Sequence, residues 1–213
     1  MPRETFASEL RDLEMQLAGM ADAVDQAIAN ALRALVERDR ALAEAVIAGD
    51  LEINQRERDI IERCLVLIAT QQPMAGDLRV ILSVYSIASE LERMGDHAEG
   101  IANISLRLME EPLLKPLIEI PRMAETGREM LREQIQAFLQ RDVERARRAS
   151  NQDDLVDNLY DQVYRELLIF MMQDPSTIRR ATLLLWVAHN LERIADRTTN
   201  IGERVLFLVT GRV

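Results

Sequence analysis

The sequence predicts an all-α protein made of two tandem, pseudo-symmetric three-helix bundles, six long helices in all. Three observations carry this. Apolar residues recur in steps of three and four along nearly the whole chain, and no stretch alternates in the manner of a strand. Aromatics are only 4% of a chain that is 48% hydrophobic, and Ala, Leu, Arg and Glu abound, which is the balance of a helical protein with an aliphatic core. One segment is also written twice. Leu91-Glu92-Arg93-Met94-Gly95-Asp96 returns as Leu191-Glu192-Arg193-Ile194-Ala195-Asp196, 100 positions later, in a register that holds from Arg79/Arg179 to Ile101/Ile201.

The elements follow in order. Phe6, Leu10, Leu13, Leu17, Met20, Val24, Ala27, Ala31 and Leu35 form the seam of a first long helix, which Glu37-Arg38-Asp39-Arg40 ends. A second helix is expected over 39–70, loosened at Gly49, and Pro73 stops it. A third begins near Pro73 and runs to 109. Pro112, Pro116 and Pro121 then mark a linker over 111–120. This divides a first bundle, 1–110, from a second, 121–213. The pattern restarts with a fourth helix over 121–140 and a fifth over 142–172. Asp174-Pro175-Ser176-Thr177 reads as an N-cap with Pro in the first turn of a sixth helix, which ends at Gly211.

A net charge of −10 is repelled by nucleic acid and by anionic lipid, so neither is an expected partner. No uncharged apolar run approaches the roughly 18–20 residues of a membrane span. The start, Met1-Pro2-Arg3-Glu4, lacks the apolar core of a signal peptide. Cys64, the single cysteine, excludes an internal disulfide, and its apolar neighbours make it a small core residue. A cytoplasmic protein without membrane insertion is expected.

What the repeat preserves is chemically specific. At 100° per residue, Glu92, Asp96, Glu99 and Asn103 share a helix face that continues an apolar stripe through Tyr85 and Ala88. Glu192 and Asp196 do the same after Leu185 and Ala188. The second helix turns polar along one stripe at Asp50, Asn54 and Glu57, and the fifth at Asp153, Asp157 and Tyr160. In the hairpins these ends stand level. Asp50 lies 22 residues before position 72, and Asp96 lies 23 after 73; Asp153 lies 21 before Asp174, and Asp196 lies 22 after it. One acidic cluster per bundle is therefore expected: Asp50, Asn54, Glu92 and Asp96, then Asp153, Asp157, Glu192 and Asp196. Gly95 and Ala195 keep that turn of the helix slim.

Gathered carboxylates need protons, arginines or a metal. Hard cations such as Mg²⁺, Mn²⁺ or Ca²⁺ suit them, and iron and zinc also accept carboxylates. The competing reading is a salt-bridge network through Arg93, Arg193, Arg79 and Arg179. His97 has Arg197 as its counterpart, which cannot be a ligand, and is read as a surface or hydrogen-bonded histidine, His189 as structural. No nucleophile–base pair and no phosphate-cradling glycine loop is present. Glu-x-x-His, the di-iron bundle motif, is absent, because Met94 and Trp186 stand three residues before the two histidines. A carboxylate-bridged metalloenzyme and a purely structural scaffold are therefore the alternatives to a non-enzymatic regulator.

These motifs resemble the PhoU family of phosphate-transport regulators, whose two bundles each carry Glu-Arg-(Ile/Met)-(Gly/Ala)-Asp. Gln72-Pro73-Met74-Ala75-Gly76-Asp77-Leu78-Arg79, Asn200-Ile201 and Val209-Thr210-Gly211 extend the likeness over nearly the whole chain. The resemblance implies a cytoplasmic homodimer that acts on the ATPase subunit of the phosphate ABC transporter and on a phosphate-sensing histidine kinase. It implies restraint of phosphate uptake and of the starvation response. It also implies metal (Fe, Zn, Mn or Mg) at Glu92, Asp96, Glu192 and Asp196, with Asp50 or Asn54 and Asp153 or Asp157 from the facing helices. Asp77 is a weaker ligand candidate and Asn200 an outer one. Gly100 opposite Asn200, Asn54 opposite Asp157 and Thr177 opposite Asp77 depart from strict repetition. They suggest a different ligand set in the first half, with Glu99 and Asn103 as substitutes.

Overall fold

The computed structural model describes residues 3–212. Met1, Pro2 and Val213, and with them part of the stretch expected to lack a signal peptide, lie outside the described residues. The helices are α1 (Arg3–Glu37), α2 (Arg40–Gln71), α3 (Gly76–Leu108), α4 (Glu119–Gln140), α5 (Val143–Ser150), α6 (Asp153–Gln173) and α7 (Ile178–Thr210); a 3₁₀ turn, Pro175–Thr177, leads into α7. No strand occurs among the described residues.

Local chemistry sets the boundaries. Asp39 caps α2 by accepting from the Leu42 N–H at 3.0 Å, and Asp142 caps α5 by accepting from Arg145 at 2.9 Å. Asp174 accepts from Ser176 as expected, although Pro175 opens a 3₁₀ turn before the α-helix begins. Gly211, at φ 71°, supplies the left-handed residue that ends α7. Arg38 also turns left-handed, and its guanidinium donates to the carbonyls of Glu111 and Met109, both at 2.9 Å, tying the α1–α2 corner to the inter-bundle linker.

Two expectations about the long helices need correction. α2 runs unbroken through Gly49. The interruption falls instead in the second copy, where the single helix expected over 142–172 is split between α5 and α6 at Asn151-Gln152. Aligning Asp50 with Asp153 places Gly49 opposite Gln152, so the weak point recurs at one level but opens only in one half. There α5 is held by Gln134 of α4, which donates to the Ala146 carbonyl (3.0 Å) and Ser150 Oγ (2.9 Å). Asn151 is a poor helix former, and the new start places Asp153 and Asp154 in a first turn, where the helix dipole favours negative charge. The third helix begins at Gly76 instead of Pro73, and the fourth at Glu119, ahead of Pro121.

α3 and α7 lie side by side at the centre. α2 packs against α1 and α3, α6 against α4 and α7, and α1 against α4. The buried aliphatic residues form one cluster that runs through both halves. α3 and α7 are antiparallel: Ser83 Oγ donates to the Arg204 carbonyl (3.5 Å), Arg197 to Glu90 (3.2 Å) and His97 Nδ1 to Asn190 Oδ1 (2.9 Å). Glu90 and Asn190 are equivalent positions, as are His97 and Arg197, so the last two contacts are related by the pseudo-twofold axis. The axis crosses α3 beside Arg93 and Met94, which sets the two repeated motifs level with each other.

Candidate functional site

Each motif faces its own hairpin partner. In the first half Asp50 is 8% exposed, and its Oδ1 lies 3.4 Å from where a Cβ on Gly95 would stand. The glycine thus admits the α2 carboxylate against α3. Asn54 donates to Asp50 Oδ2 at 2.8 Å. Burial, then the charges of Asp96 and Glu99, push the Asp50 carboxyl above the usual carboxylate range. Glu92 is raised by burial and by Asp96, Glu57 and Asp50. The carboxylates of Asp50, Glu92 and Asp96 therefore share one electrostatic neighbourhood, joined by Glu57 and Glu99.

The second half repeats the arrangement. Asp153 is pushed up to about 6 by burial and by the charges of Asp157, Asp196, Glu192 and Asp154. Asp157 is raised by burial and then Asp196. Glu192 is raised by burial and then Asp196, with Arg193 pulling the other way.

The salt-bridge alternative fails in the first cluster. Among the described residues no Arg or Lys forms an ion pair with Asp50, Glu57, Glu92, Asp96 or Glu99. In the second, Arg193 pairs with Asp196 on the solvent side. Arg179 is committed elsewhere, to Glu110 and Glu111 at 2.7 Å each. Buried acceptors remain without a hydrogen-bond partner in both clusters: Asp50 Oδ1, Asn54 Oδ1, Asp153 Oδ1 and Glu192 Oε2. His189 Nδ1 is 3.5 Å from Glu192 Oε2, close enough for attraction but outside hydrogen-bond geometry. Orphaned acceptors cost free energy unless a donor or cation reaches them. Hard oxygen donors with raised proton affinity fit a hard cation. Among the described residues, however, no three His, Cys, Asp or Glu side chains converge as placed on one ion-sized position. The oxygens are gathered but not closed.

The other sequence candidates separate from this group. Asp77 sits in the first turn of α3, about 28 Å along the helix from Asp96, and belongs to no cluster. Asn103 is exposed and donates to Glu99 at 3.2 Å, backing that carboxylate from the side. Asn200 donates to Glu90 at 3.2 Å across the α3–α7 interface and is not near the carboxylates. Its counterpart Gly100 packs against Asn190, where a Cβ would come within 3.2 Å of Oδ1. The Gly100/Asn200 departure thus concerns the seam between bundles. His97 is the hydrogen-bonded histidine expected, held below its ordinary range chiefly by burial. Glu57, on the α2 stripe but outside the predicted clusters, is close enough for its charge to raise Glu92; its place three residues after Asn54 on the polar stripe was the available signal. A cavity of about 910 Å³ lies between α1 and α2 beside Arg56, Arg63 and Met15, away from both clusters.

The comparisons with known proteins point one way. The family model described as the PhoU domain matches residues 17–105 and again 120–205. A phosphate-specific transport system accessory protein PhoU homologue of Aquifex aeolicus is 44% identical over 96% of this chain and 93% of its own. The crystal structure of PhoU from Pseudomonas aeruginosa superposes with a TM-score of 0.93 at 36% identity, covering 97% of this chain and all of that one. The phosphate transport system regulatory protein PhoU of Streptococcus pneumoniae gives 0.91 at 34%, over 97% and 98%. The first of these names is that of an accessory protein and the last that of a regulatory protein, and none of the three is the name of an enzyme.

Proposed function

The chain belongs to the PhoU family, and we propose that it regulates phosphate transport as a non-enzymatic, metal-binding adaptor. It restrains phosphate uptake and the phosphate-starvation response by linking the ATPase subunit of the phosphate ABC transporter to a phosphate-sensing histidine kinase, as a cytoplasmic homodimer. The relatives' names support the transport role. No helix among the described residues is long and apolar enough to cross a membrane, so association with a transporter rests on docking.

The observation that carries the metal reading is the orphaned buried oxygen in both clusters. Asp50, Asn54, Glu92 and Asp96, with Glu57 and Glu99 beside them, would hold one cation; Asp153, Asp157, Glu192 and Asp196 would hold the other. A bound divalent ion neutralises the mutual repulsion and draws α2 toward α3 and α6 toward α7, which couples occupancy to the shape of the docking face.

The test is alkaline phosphatase output in phosphate-rich medium after deletion of the gene. Output should rise, and should fall again with the intact chain but not with a folded Glu92→Ala/Asp96→Ala/Glu192→Ala/Asp196→Ala variant. Output that stays low after deletion, or full rescue by that variant, would refute the regulatory role or its dependence on the acidic sites respectively. Mn²⁺, Zn²⁺ or Fe²⁺ should raise the melting temperature of the intact chain by mass action and leave the variant unmoved.

A further inference from the structure

The two clusters are alike, but their surroundings are not. Beside Glu192 stands a group of rings with no counterpart in the first half. Trp186 meets His189 edge-on, with centroids 5.7 Å apart and planes at 75°. Tyr160 lies 6.5 Å from His189 and 6.5 Å from Tyr164. Trp186 is 55% exposed and Tyr164 44%. Tyr160 packs against the core, but Trp186 and Tyr164 present faces to water, and exposed aromatic rings of this kind mark a contact site. The equivalent positions are Ser86, Ser89, Glu57 and Ile61. There Ser89 Oγ donates to Glu57 Oε1 at 3.0 Å, and the gap is closed by that hydrogen bond. In the second half the oxygen turned toward the rings, Glu192 Oε2, is buried and has no hydrogen-bond partner.

We propose that Trp186, His189, Tyr160 and Tyr164, closed by Glu192, form a recess that takes an arginine side chain presented by a partner protein. A guanidinium is planar, stacks on aromatic faces and forks onto a carboxylate; a lysine ammonium does only part of this. The net charge of −10 attracts a basic segment to the surface, and the rings discriminate among basic groups. The recess also solves a problem that the fold creates. Two level acidic clusters related by a pseudo-twofold axis offer a partner two nearly equivalent orientations. Rings on one side only select one of them. This rests on the adaptor reading, in the form whose second cluster holds no cation, because a cation and the guanidinium compete for Glu192; it names the chemistry of that contact.

Trp186 is the only tryptophan in the chain, so its emission reports on the recess alone. The experiment titrates the full chain, in chelator so that no metal competes for Glu192, with acetyl-Gly-Arg-Gly-amide and with the neutral citrulline counterpart. The arginine peptide should give a saturable change in emission, with the citrulline peptide weaker by about tenfold or more. Glu192→Gln and Tyr164→Ser should each weaken the arginine response by a similar factor. Asp96→Asn, in the first cluster, should leave it unchanged. Superimposable arginine and citrulline titrations, or no saturable change, overturn the proposal. So does an arginine response retained in Tyr164→Ser, which would mean attraction to acidic surface without a recess. Capture of the transporter ATPase subunit or the kinase by the intact chain separates the two readings. Capture with no arginine response leaves the adaptor standing and sinks the recess. An arginine response without capture of either partner supports the recess and removes the adaptor.

Discussion

Replacing Asp153 by Asn should make the metal-free protein more stable. Asp153 titrates near 6 against an ordinary 3.8, because burial and four neighbouring carboxylates penalise its charge. About two units at 1.36 kcal/mol each correspond to roughly 3 kcal/mol. The side chain is partly solvated, so screening reduces this to about 1.5 kcal/mol. The amide forfeits the charge at the first turn of α6, a loss of roughly 0.3–1 kcal/mol, while Asp154 remains there. The net gain is about 1 kcal/mol at neutral pH, or about 2–4 °C in melting temperature for a chain of this size. The pH dependence has a definite sign. The folded carboxyl has a raised pKa, so its penalty is fully present above about 6. It fades as pH falls toward the unfolded value of 3.8, where the native state has taken up the proton. The advantage of the variant should therefore shrink between pH 7.5 and pH 4.5. Thermal unfolding in chelator at the two pH values tests this. A variant less stable than the parent at pH 7.5, or an advantage that does not change with pH, would refute the claim that the cluster stores uncompensated charge.

Two glycines in long helices should respond oppositely to alanine. A Cβ on Gly49 meets nothing within 4 Å, so Gly49→Ala should raise stability by about 0.5–1 kcal/mol through helix propensity alone. A Cβ on Gly202 would stand 2.7 Å from both Gln134 Nε2 and Ser150 Oγ, and Gln134 is fully buried with its amide bonded to α5. Moving it strands buried donors, so Gly202→Ala should lower stability by about 1–2 kcal/mol; urea unfolding of both variants checks the contrast. The Cys64 thiol is fully buried and pushed up to about 12 by burial. It should resist a disulfide reagent such as Ellman's at pH 8 in the native protein and react fully in denaturant; rapid native labelling would show that α2 opens locally.

The repeat made the architecture legible, because helix periodicity and caps are local properties of the chain. It also made the acidic clusters legible. Residues equally distant from a tight helical turn stand level, so Asp50 could be set against Asp96 and Asp153 against Asp196 by counting. The pKa shifts show these groups acting on one another. Counting reaches only the hairpin partner, though, and each central helix has a second neighbour. That α3 and α7 lie against one another was not encoded in either helix's own stripe. It depends on how two bundles share one core.

That contact reassigns residues. Asn200, His97 and Gly100 sit at the α3–α7 seam with Glu90 and Asn190, although the family resemblance made Asn200 an outer ligand candidate. The split of α5 from α6 likewise follows from a buried glutamine on another helix, Gln134. The sequence by itself determined the order of the long helices and which acidic residues stand level with one another, since both follow from rise and rotation per residue. Only the tertiary structure decided which buried oxygens go without a partner, and that the rings of Trp186, His189 and Tyr160 gather beside one cluster alone. Those outcomes depend on distances between helices that no single helix specifies.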